Sequence, residues 1–455
     1  MTLSLFPEAI VKRLLLTTLV VTSLAVSAWP QSPNTPWLPV GIQGELGPLS
    51  FLTEGSVNML SGGVALQTAY DDNALLSDDK SLGNSSLLVQ PNIAIQETRP
   101  RSLWTLNYGL GFTANQKLPE RYDYAHNLNF NLQYRVSERL TVRLQDNFVN
   151  QTTTFENLND RASVQGGNVL REPNESIITP LSRRMDNLAD LDLIYQLGSG
   201  TIASASGSFN TLNFKNTAGS TAQLYDTQLW NANAGFWQRL LGSHWLGASY
   251  AVEEMVIKGP VDERTKINVV QLFYTFAPSS HTSLSFFVGP NHTTINDRFQ
   301  YVIPPFVIPI SITKEHWLVD GGMTFGWRGS RTSVTAKVVR HVSDGGGLTG
   351  AVRTHNGDVN LRRQLTAKLV ANVGVLYGAN NTLSRFYSNN SIRTISGTAG
   401  LERSVRDDFS VALYYARDHQ NWEQVIGGSG SGYRAADRNR VSFSIFYHFN
   451  RPLGR

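Results

Sequence analysis

The chain has no cysteine among its 455 residues. This absence excludes disulfide bonds, thiolate metal sites, a cysteine nucleophile and a lipid anchor on cysteine. A lack of thiols also suits an oxidising compartment outside the cytoplasm, where stray cysteines would pair wrongly. The missing residue type therefore removes several classes of enzyme and favours an exported protein.

Charged residues are scarce as well. They make up 16% of the chain, whereas soluble domains carry about 25%. The formal net charge is +4, and the basic residues form no run of the kind that nucleic-acid-binding proteins carry. We therefore expect no nucleic-acid partner.

Long apolar runs are missing beyond the N-terminus. A membrane-spanning helix needs about 20 mostly apolar residues, and the N-terminal apolar segment, 14–26, is shorter. Lys12 and Arg13 precede this segment and small residues end at Ala28, which is the pattern of a signal peptide. We predict a cleaved signal peptide over 1–28, followed by a proline-rich periplasmic lead-in over 29–56.

What the chain has instead is alternation. A β-strand places successive side chains on opposite faces, and near the C-terminus Val441, Phe443 and Ile445 alternate with serines and Phe446. The segment 127–134 alternates apolar residues with four amides. Asparagine is a poor strand former, so a row of amides opposite an apolar row indicates a water-filled interior. Alternation of this kind is typical of transmembrane β-barrels.

Turn-forming segments alternate between short ones, such as 362–364, and longer ones, such as those around 292–312, 343–353 and 420–434. This favours short periplasmic turns and long extracellular loops. We predict an all-β fold: one transmembrane antiparallel barrel of about eighteen strands (16–18) over 57–449, with a C-terminal tail over 450–455. A barrel of this size leaves an aqueous channel. Aromatic residues near the short turns, Trp237 and Trp245 among them, predict an interfacial girdle.

The predicted interior supplies the candidate site residues. The lumen-lining candidates are Asn127, Asn129, Asn131, Gln133, Arg143, Asp190, Asp192, Asp320, Lys337 and Lys368. The segment 301–312 is unusually apolar for an exposed loop, so it is a candidate constriction loop, a partner contact or a strand extension. Its candidate constricting residues are Tyr301, Pro304, Pro305, Phe306 and Pro309.

Acidic residues offer weaker candidates for chemistry. The loop with Asp71, Asp72, Asn73, Asp78 and Asp79 has oxygen ligands suited to Ca²⁺, although its spacing is not that of an EF-hand. The pairs Asp71-Asp72 and Asp418-His419 are together similar to outer-membrane aspartyl-type proteases. Neighbouring strand residues point to opposite faces, so neither pair need converge, and no Gly-x-Ser-x-Gly elbow is present. We predict no enzyme activity, no cofactor and no metal.

Two segments carry family resemblances. The ending Tyr447-His448-Phe449 resembles the C-terminal recognition signal of outer-membrane proteins, although six residues follow it. The stretch Thr68-Ala69-Tyr70-Asp71-Asp72-Asn73, with Pro91 to Ile95 and Arg99-Pro100-Arg101 behind it, resembles the opening of β-barrel porins associated with exopolysaccharide biosynthesis and export. The resemblance implies a barrel over nearly all of the mature chain and a role in polysaccharide export.

Together these observations predict a pore in the outer membrane of a Gram-negative bacterium. It would be a passive channel or a porin associated with exopolysaccharide export. A non-conducting structural or adhesive barrel is the alternative, and an outer-membrane hydrolase is a weaker one. The expected partners are outer-membrane lipid, a polysaccharide or small solutes, and the barrel-assembly machinery through the strand ending at Phe449.

Overall fold

The computed structural model describes residues 58–76, 81–152, 177–178, 181–216, 224–240, 242–259, 262–279, 281–303, 306–384, 391–426 and 430–453. The predicted signal peptide and proline-rich lead-in lie outside these residues, and both stay predictions. Within the described part, no helix is long and apolar enough to cross a membrane.

The described residues form eighteen β-strands in one sheet. Each strand pairs antiparallel with its neighbours in the chain, and β1 pairs with both β2 and β18, so the sheet closes on itself. This confirms the predicted all-β antiparallel barrel. The strands are β1 Met59–Asp71, β2 Asn84–Arg99, β3 Ser102–Asn115, β4 Tyr122–Arg135, β5 Leu140–Thr152, β6 Ser182–Gly198, β7 Thr201–Asn216, β8 Asp226–Arg239, β9 His244–Lys258, β10 Asp262–Ser279, β11 Thr282–Ile303, β12 Phe306–Arg328, β13 Thr332–Gly345, β14 Thr349–Thr366, β15 Leu369–Thr382, β16 Ser391–Arg406, β17 Phe409–Ile426 and β18 Gly430–Pro452.

The two ends of the barrel differ in how the strands are joined. Every connection after an even-numbered strand is two to four residues long, which gives one end a rim of short turns. At the other end the predicted loops around 292–312, 343–353 and 420–434 are largely strand. These segments form long hairpins. Their strands are longer than the roughly 9–11 residues that a tilted strand needs to cross a bilayer, and their backbones stay paired over the extra length. The turn predicted at 362–364 lies inside β14, and the chain turns at 367–368 instead.

Outward-pointing side chains are apolar and inward-pointing ones are mostly polar. On β6, Leu191, Leu193 and Tyr195 are exposed on the outer face, while Asp192 and Ile194 between them are buried. The same alternation runs along β18, where Val441 and Phe443 are exposed and Ser442 and Ser444 are buried. The exposed apolar residues therefore form a band around the outside of the barrel.

Trp237 and Trp245 depart from the predicted girdle. Trp237 is 3% exposed and points inward, where it packs with Ile194, Ile202 and Trp245. Its ring lies against Gly235, where an added Cβ would come within 2.3 Å of the indole. Among the other aromatic residues near the short turns, Tyr134, Tyr195 and Tyr274 are exposed on the outer face. The two tryptophans instead fill the interior beside the short-turn rim.

The last strand runs beyond the predicted end of the barrel. β18 continues through residues 450–452 and pairs with the start of β1, with Met59 opposite Pro452. Phe449 lies opposite Gly62, and a Cβ on this glycine would come within 2.8 Å of the phenylalanine ring. The predicted tail is thus partly strand, because β1 offers it a partner.

Candidate functional site: the barrel interior

A wall of amides lines the inner faces of β2 to β5. Asn129 lies opposite Asn107 on one side and Asn147 on the other, and Asn131 lies opposite Gln145. Inner-facing amides continue onto β2 with Gln90 and Asn92. We call the set Gln90, Asn92, Asn107, Asn127, Asn129, Asn131, Gln133, Gln145 and Asn147 the amide wall. Among the described residues, the side chains of Asn127, Asn129 and Asn131 make no hydrogen bond to protein, so they can bond water or a solute.

The predicted charged candidates lie on the inner face with partners of opposite charge or with hydrogen-bond donors. Arg143 forms an ion pair with Asp192. Asp320 accepts a hydrogen bond from Asn291 Nδ2 at 2.8 Å. Lys337 lies opposite Asp358 on β14.

Asp190 and Lys368 complete the predicted set. Asp190 lies on the inner face of β6, opposite Gln145 and Ser208. Lys368 lies in the short turn between β14 and β15, with its side chain exposed, and so has no place on the inner wall. The alternation around residue 368 suggested a strand, but the β14–β15 ladder ends at the pair of Thr366 and Leu369.

Acidic residues near the first strand connect β1 to β18. Asp71 Oδ2 accepts from Arg438 Nε at 2.7 Å, and both side chains are almost completely buried. Asp72 Oδ2 accepts from Asn439 Nδ2 at 2.7 Å, and Asn73 Nδ2 donates to the Asp437 carbonyl oxygen. This stretch therefore joins the first and last strands at the barrel closure. Asp78 and Asp79 of the calcium hypothesis lie outside the described residues.

Asp418 lies on β17, the strand next to β18, and bonds residues of its two neighbouring strands. Its Oδ2 accepts from Arg440 Nη2 at 2.9 Å, and its Oδ1 accepts from Ser396 Oγ at 2.5 Å. His419 points the other way and contacts Asp437 on the outer face. Asp418 and His419 thus lie on opposite faces of β17 and do not converge as catalytic groups. Among the described residues, no cluster of three His, Asp or Glu could hold a metal ion.

The segment 301–312 is the end of a long hairpin. Tyr301 lies opposite Ile308, and Phe306 opposite Ile303, in the β11–β12 ladder. Pro309 is exposed, and Pro304 and Pro305 lie outside the described residues. The backbone pairing corresponds to the strand extension among the three alternatives, and it supplies no inward loop.

A different segment enters the lumen. Residues 341–355, at the tip of the β13–β14 hairpin, fold against the inner wall, and we call them the inner flap. Ala351 N donates to Glu263 Oε1 at 2.7 Å, which joins β14 to the inner face of β10. At the tip, the Gly347 carbonyl oxygen accepts from Tyr225 N at 2.8 Å. Burial at this contact raises the pKa of the Tyr225 hydroxyl, which therefore stays neutral.

The inner flap rests on an apolar surface inside the barrel, which we call the apolar seat. It packs through Val342 and Ala351, together with Leu383 beyond β15. The seat consists of Met255, Ile257, Ile267, Val269, Ile295 and Leu318. Sequence reasoning missed the flap, but it left a partial sign: Met255 and Ile257 on β9, and Ile267 and Val269 on β10, are apolar on the inner face, which an open wet lumen does not require.

No protein-family model matches the chain, and no curated protein matches it. Several solved structures align with most of it. The ferric-catecholate import receptor Fiu from E. coli K12, in its open form, is 7% identical with a TM-score of 0.46, over 85% of this chain and 81% of that chain. The outer membrane protein OpdK from Pseudomonas aeruginosa is 11% identical with a TM-score of 0.38, over 86% of this chain and 99% of that chain.

The ferric citrate transporter FecA, in its unliganded form, is 10% identical with a TM-score of 0.42, over 86% of this chain and 79% of that chain. At these identities and TM-scores the alignments carry no argument about function.

Proposed function

We propose that the protein is an outer-membrane channel that passes hydrophilic, uncharged, hydroxyl-rich solutes. The outer surface supports the membrane location, because exposed apolar residues surround the barrel. Soluble monomers rarely expose contiguous apolar patches larger than a few hundred Å². A closed barrel satisfies its backbone hydrogen bonds internally and can therefore sit in lipid.

The amide wall is the observation that carries the solute class. An amide offers both donors and an acceptor, so a row of amides can exchange water for sugar hydroxyl groups without a cost in unpaired polar atoms. Lumen charges of both signs are present, and those of Arg143 and Asp192 neutralise each other. This balance favours neither anionic nor cationic solutes.

The finer part of the proposal is export of an exopolysaccharide strand. The resemblance at residues 68–73 supports it, as does the hydroxyl-matched lining. These residues also join β1 to β18, so the resemblance covers a part of the chain that has a structural task. Insertion would use the barrel-assembly machinery, which would recognise the strand that contains Phe449, after export directed by the signal peptide 1–28.

The test is single-channel conductance of the refolded mature protein in planar bilayers. We expect stable steps that neutral oligosaccharides, added to one side, block more strongly than anionic ones of equal size. Asn129→Leu should shorten each sugar block several-fold while changing the ion current little. Asn372→Leu, on the inner face of β15 and away from the amide wall, is the matched control and should leave the blocks unchanged.

Two results would count against this proposal. A bilayer that stays sealed, although heat-shifted gel mobility shows a folded barrel, would overturn the open channel and favour the structural or adhesive alternative. Steps that sugars never block would leave a pore but overturn its solute class.

A further inference from the structure

The ladder between β12 and β13 stops early. It holds eight residue pairs, from Arg328 opposite Ser333 to Gly321 opposite Arg340. Beyond Gly321, β12 continues to Phe306 and pairs only with β11. Beyond Arg340, β13 continues to Gly345 and pairs only with β14. In this part of the barrel, which lies towards the end opposite the short turns, β12 and β13 are neighbours in the strand order but share no ladder.

In the same part of the barrel, β13 lies on the inside of the wall. Val338 and Val342 are four residues apart on one strand and belong to the same, outward face. Val338 is 57% exposed, whereas Val342 is 3% exposed and packs on inward-facing residues of the apolar seat. The outer face of β13 therefore lies against the inner face of β9 to β12, and β12 overlaps it from outside.

Polar contacts, as well as the apolar seat, hold the inner flap and its neighbours in this position. Apart from the bonds of Ala351 and Gly347, Lys314 Nζ donates to the Leu383 carbonyl oxygen at 3.2 Å, and Ser384 Oγ donates to Asp297 Oδ2 at 3.1 Å. The flap leaves the wall at β13, nine places from β4 in a ring of eighteen strands, and its tip contacts Tyr225 just before β8. The flap therefore occupies part of the lumen, and its position changes the width that is left open.

The edge of β12 offers the flap a second position. An unpaired edge presents free backbone donors and acceptors. Continuing the observed register would place Val342 opposite Val319 and Ser343 opposite Leu318, so the strand would return to the wall with new backbone hydrogen bonds. Those bonds would offset the lost contacts with the apolar seat. The β13–β14 hairpin can therefore pack in two ways.

We propose that the inner flap is a gate that closes by resting on the apolar seat and opens by extending the β12–β13 ladder. The proposal rests on the proposed channel function, because a gate requires a pore. The open state clears the part of the lumen that the flap occupies, and the closed state is the one in the structure.

The experiment uses engineered disulfides in the full mature chain, which has no native cysteine. Val319→Cys with Val342→Cys traps the open state. In the closed state Val319 is 52% exposed outside the wall and Val342 is buried inside it, so the two thiols cannot meet. In the open state they lie directly opposite, within reach of a disulfide.

Ile177→Cys with Gly346→Cys traps the closed state, because a Cβ built on Gly346 lies 3.1 Å from Ile177 Cβ. The control is Gly111→Cys with Ala125→Cys. These residues face each other within the β3–β4 ladder, and the corresponding distance is 3.0 Å. Disulfide formation is measured by loss of maleimide labelling, and conductance is measured before and after a reductant.

We expect the oxidised 319–342 pair to hold a conductance several-fold above the unlocked channel, and the 177–346 pair to hold it several-fold below. A reductant should reverse both, and the control bridge should change neither. If the control bridge forms and the 319–342 bridge never does, or if both test bridges form without altering conductance in a conducting protein, the gate is overturned. If the protein conducts nothing even with the 319–342 bridge formed, the channel itself is overturned.

Discussion

The barrel has two seams of very different construction. At the closure seam, β1 and β18 pair over thirteen residues from Met59 to Asp71, and Arg438 and Asn439 bond Asp71 and Asp72 across it. At the β12–β13 seam, the ladder holds only eight residue pairs, and the strands then separate. Closure joins segments more than 360 residues apart in sequence, so it has the largest loop entropy to overcome. The seam between neighbours in sequence can be left short.

The two seams should therefore have different roles: the closure seam stabilises the barrel, and the β12–β13 seam permits movement. Buried ion pairs are costly to break, because a lost partner leaves an unpaired charge away from water. Apolar packing is less directional and permits a second arrangement. The closure seam should therefore control unfolding, and the β12–β13 seam should control conductance.

The largest expected effect is at the closure seam. Arg438→Ala leaves the Asp71 carboxylate buried without its partner, and we expect a loss of about 3–5 kcal/mol in the free energy of unfolding. Urea unfolding in lipid vesicles, followed by heat-shifted gel mobility, measures this loss. The control is Arg264→Ala, because Arg264 pairs with Glu254 at an exposed site and should cost at most about 1 kcal/mol. Equal losses in the free energy of unfolding would show that the buried pair of Asp71 and Arg438 stabilises the barrel no more than the exposed pair of Arg264 and Glu254.

The next effect is on the gate. Ile267→Ser removes apolar contact from the seat under the closed flap. In the open state this inward-facing position borders the lumen, so the change costs the closed state about 1.5 kcal/mol or more. We expect the ratio of open to closed channel to rise about tenfold. The control is Val338→Ser, at an exposed position of β13 within the β12–β13 ladder, which should leave this ratio unchanged. Open and closed dwell times in single-channel records measure this ratio in both variants. Similar dwell times in the two variants would show that the apolar seat does not stabilise the closed state.

Much of this architecture follows from sequence patterns. The alternation of Leu128 and Phe130 with Asn129 and Asn131 predicts both faces of β4, because a strand has a period of two. The number of strands follows because each crossing of the membrane needs a similar length of alternating chain. Local periodicity therefore determines the wall of the barrel and most of the residues that line it.

The inner flap could not be predicted in the same way. Val338 and Val342 have the same residue type and the same strand parity, and only the path of β13 relative to β12 buries one and exposes the other. The apolar composition of segment 301–312 makes it a candidate constriction, because composition can be read from the sequence. The backbone pairing of that segment with itself is not visible there. Likewise, the sequence around Asp71 suggests a candidate for chemistry, whereas the structure pairs it with Arg438 near the other end of the chain.

The smallest expected effect separates two glycines that both have positive φ. Gly347 at the flap tip has φ 80°, and an added Cβ would come within 2.4 Å of the Phe214 ring. Gly242, in a short turn, has φ 45° and has no other atom within 4 Å of the same position. We expect Gly242→Ala to lower the stability of the barrel by about 1 kcal/mol through backbone strain alone, with unchanged gating.

Gly347→Ala should do the reverse, because its clash displaces the flap tip from Phe214 while the ladders of the wall stay intact. Open dwell times should lengthen a few-fold, and the urea midpoint should move little. Measuring both quantities in both variants tests whether tip and wall are energetically separate. A shared loss of stability, with no change in dwell times, would make the flap an ordinary part of the folded core and leave the β12–β13 seam without a separate role.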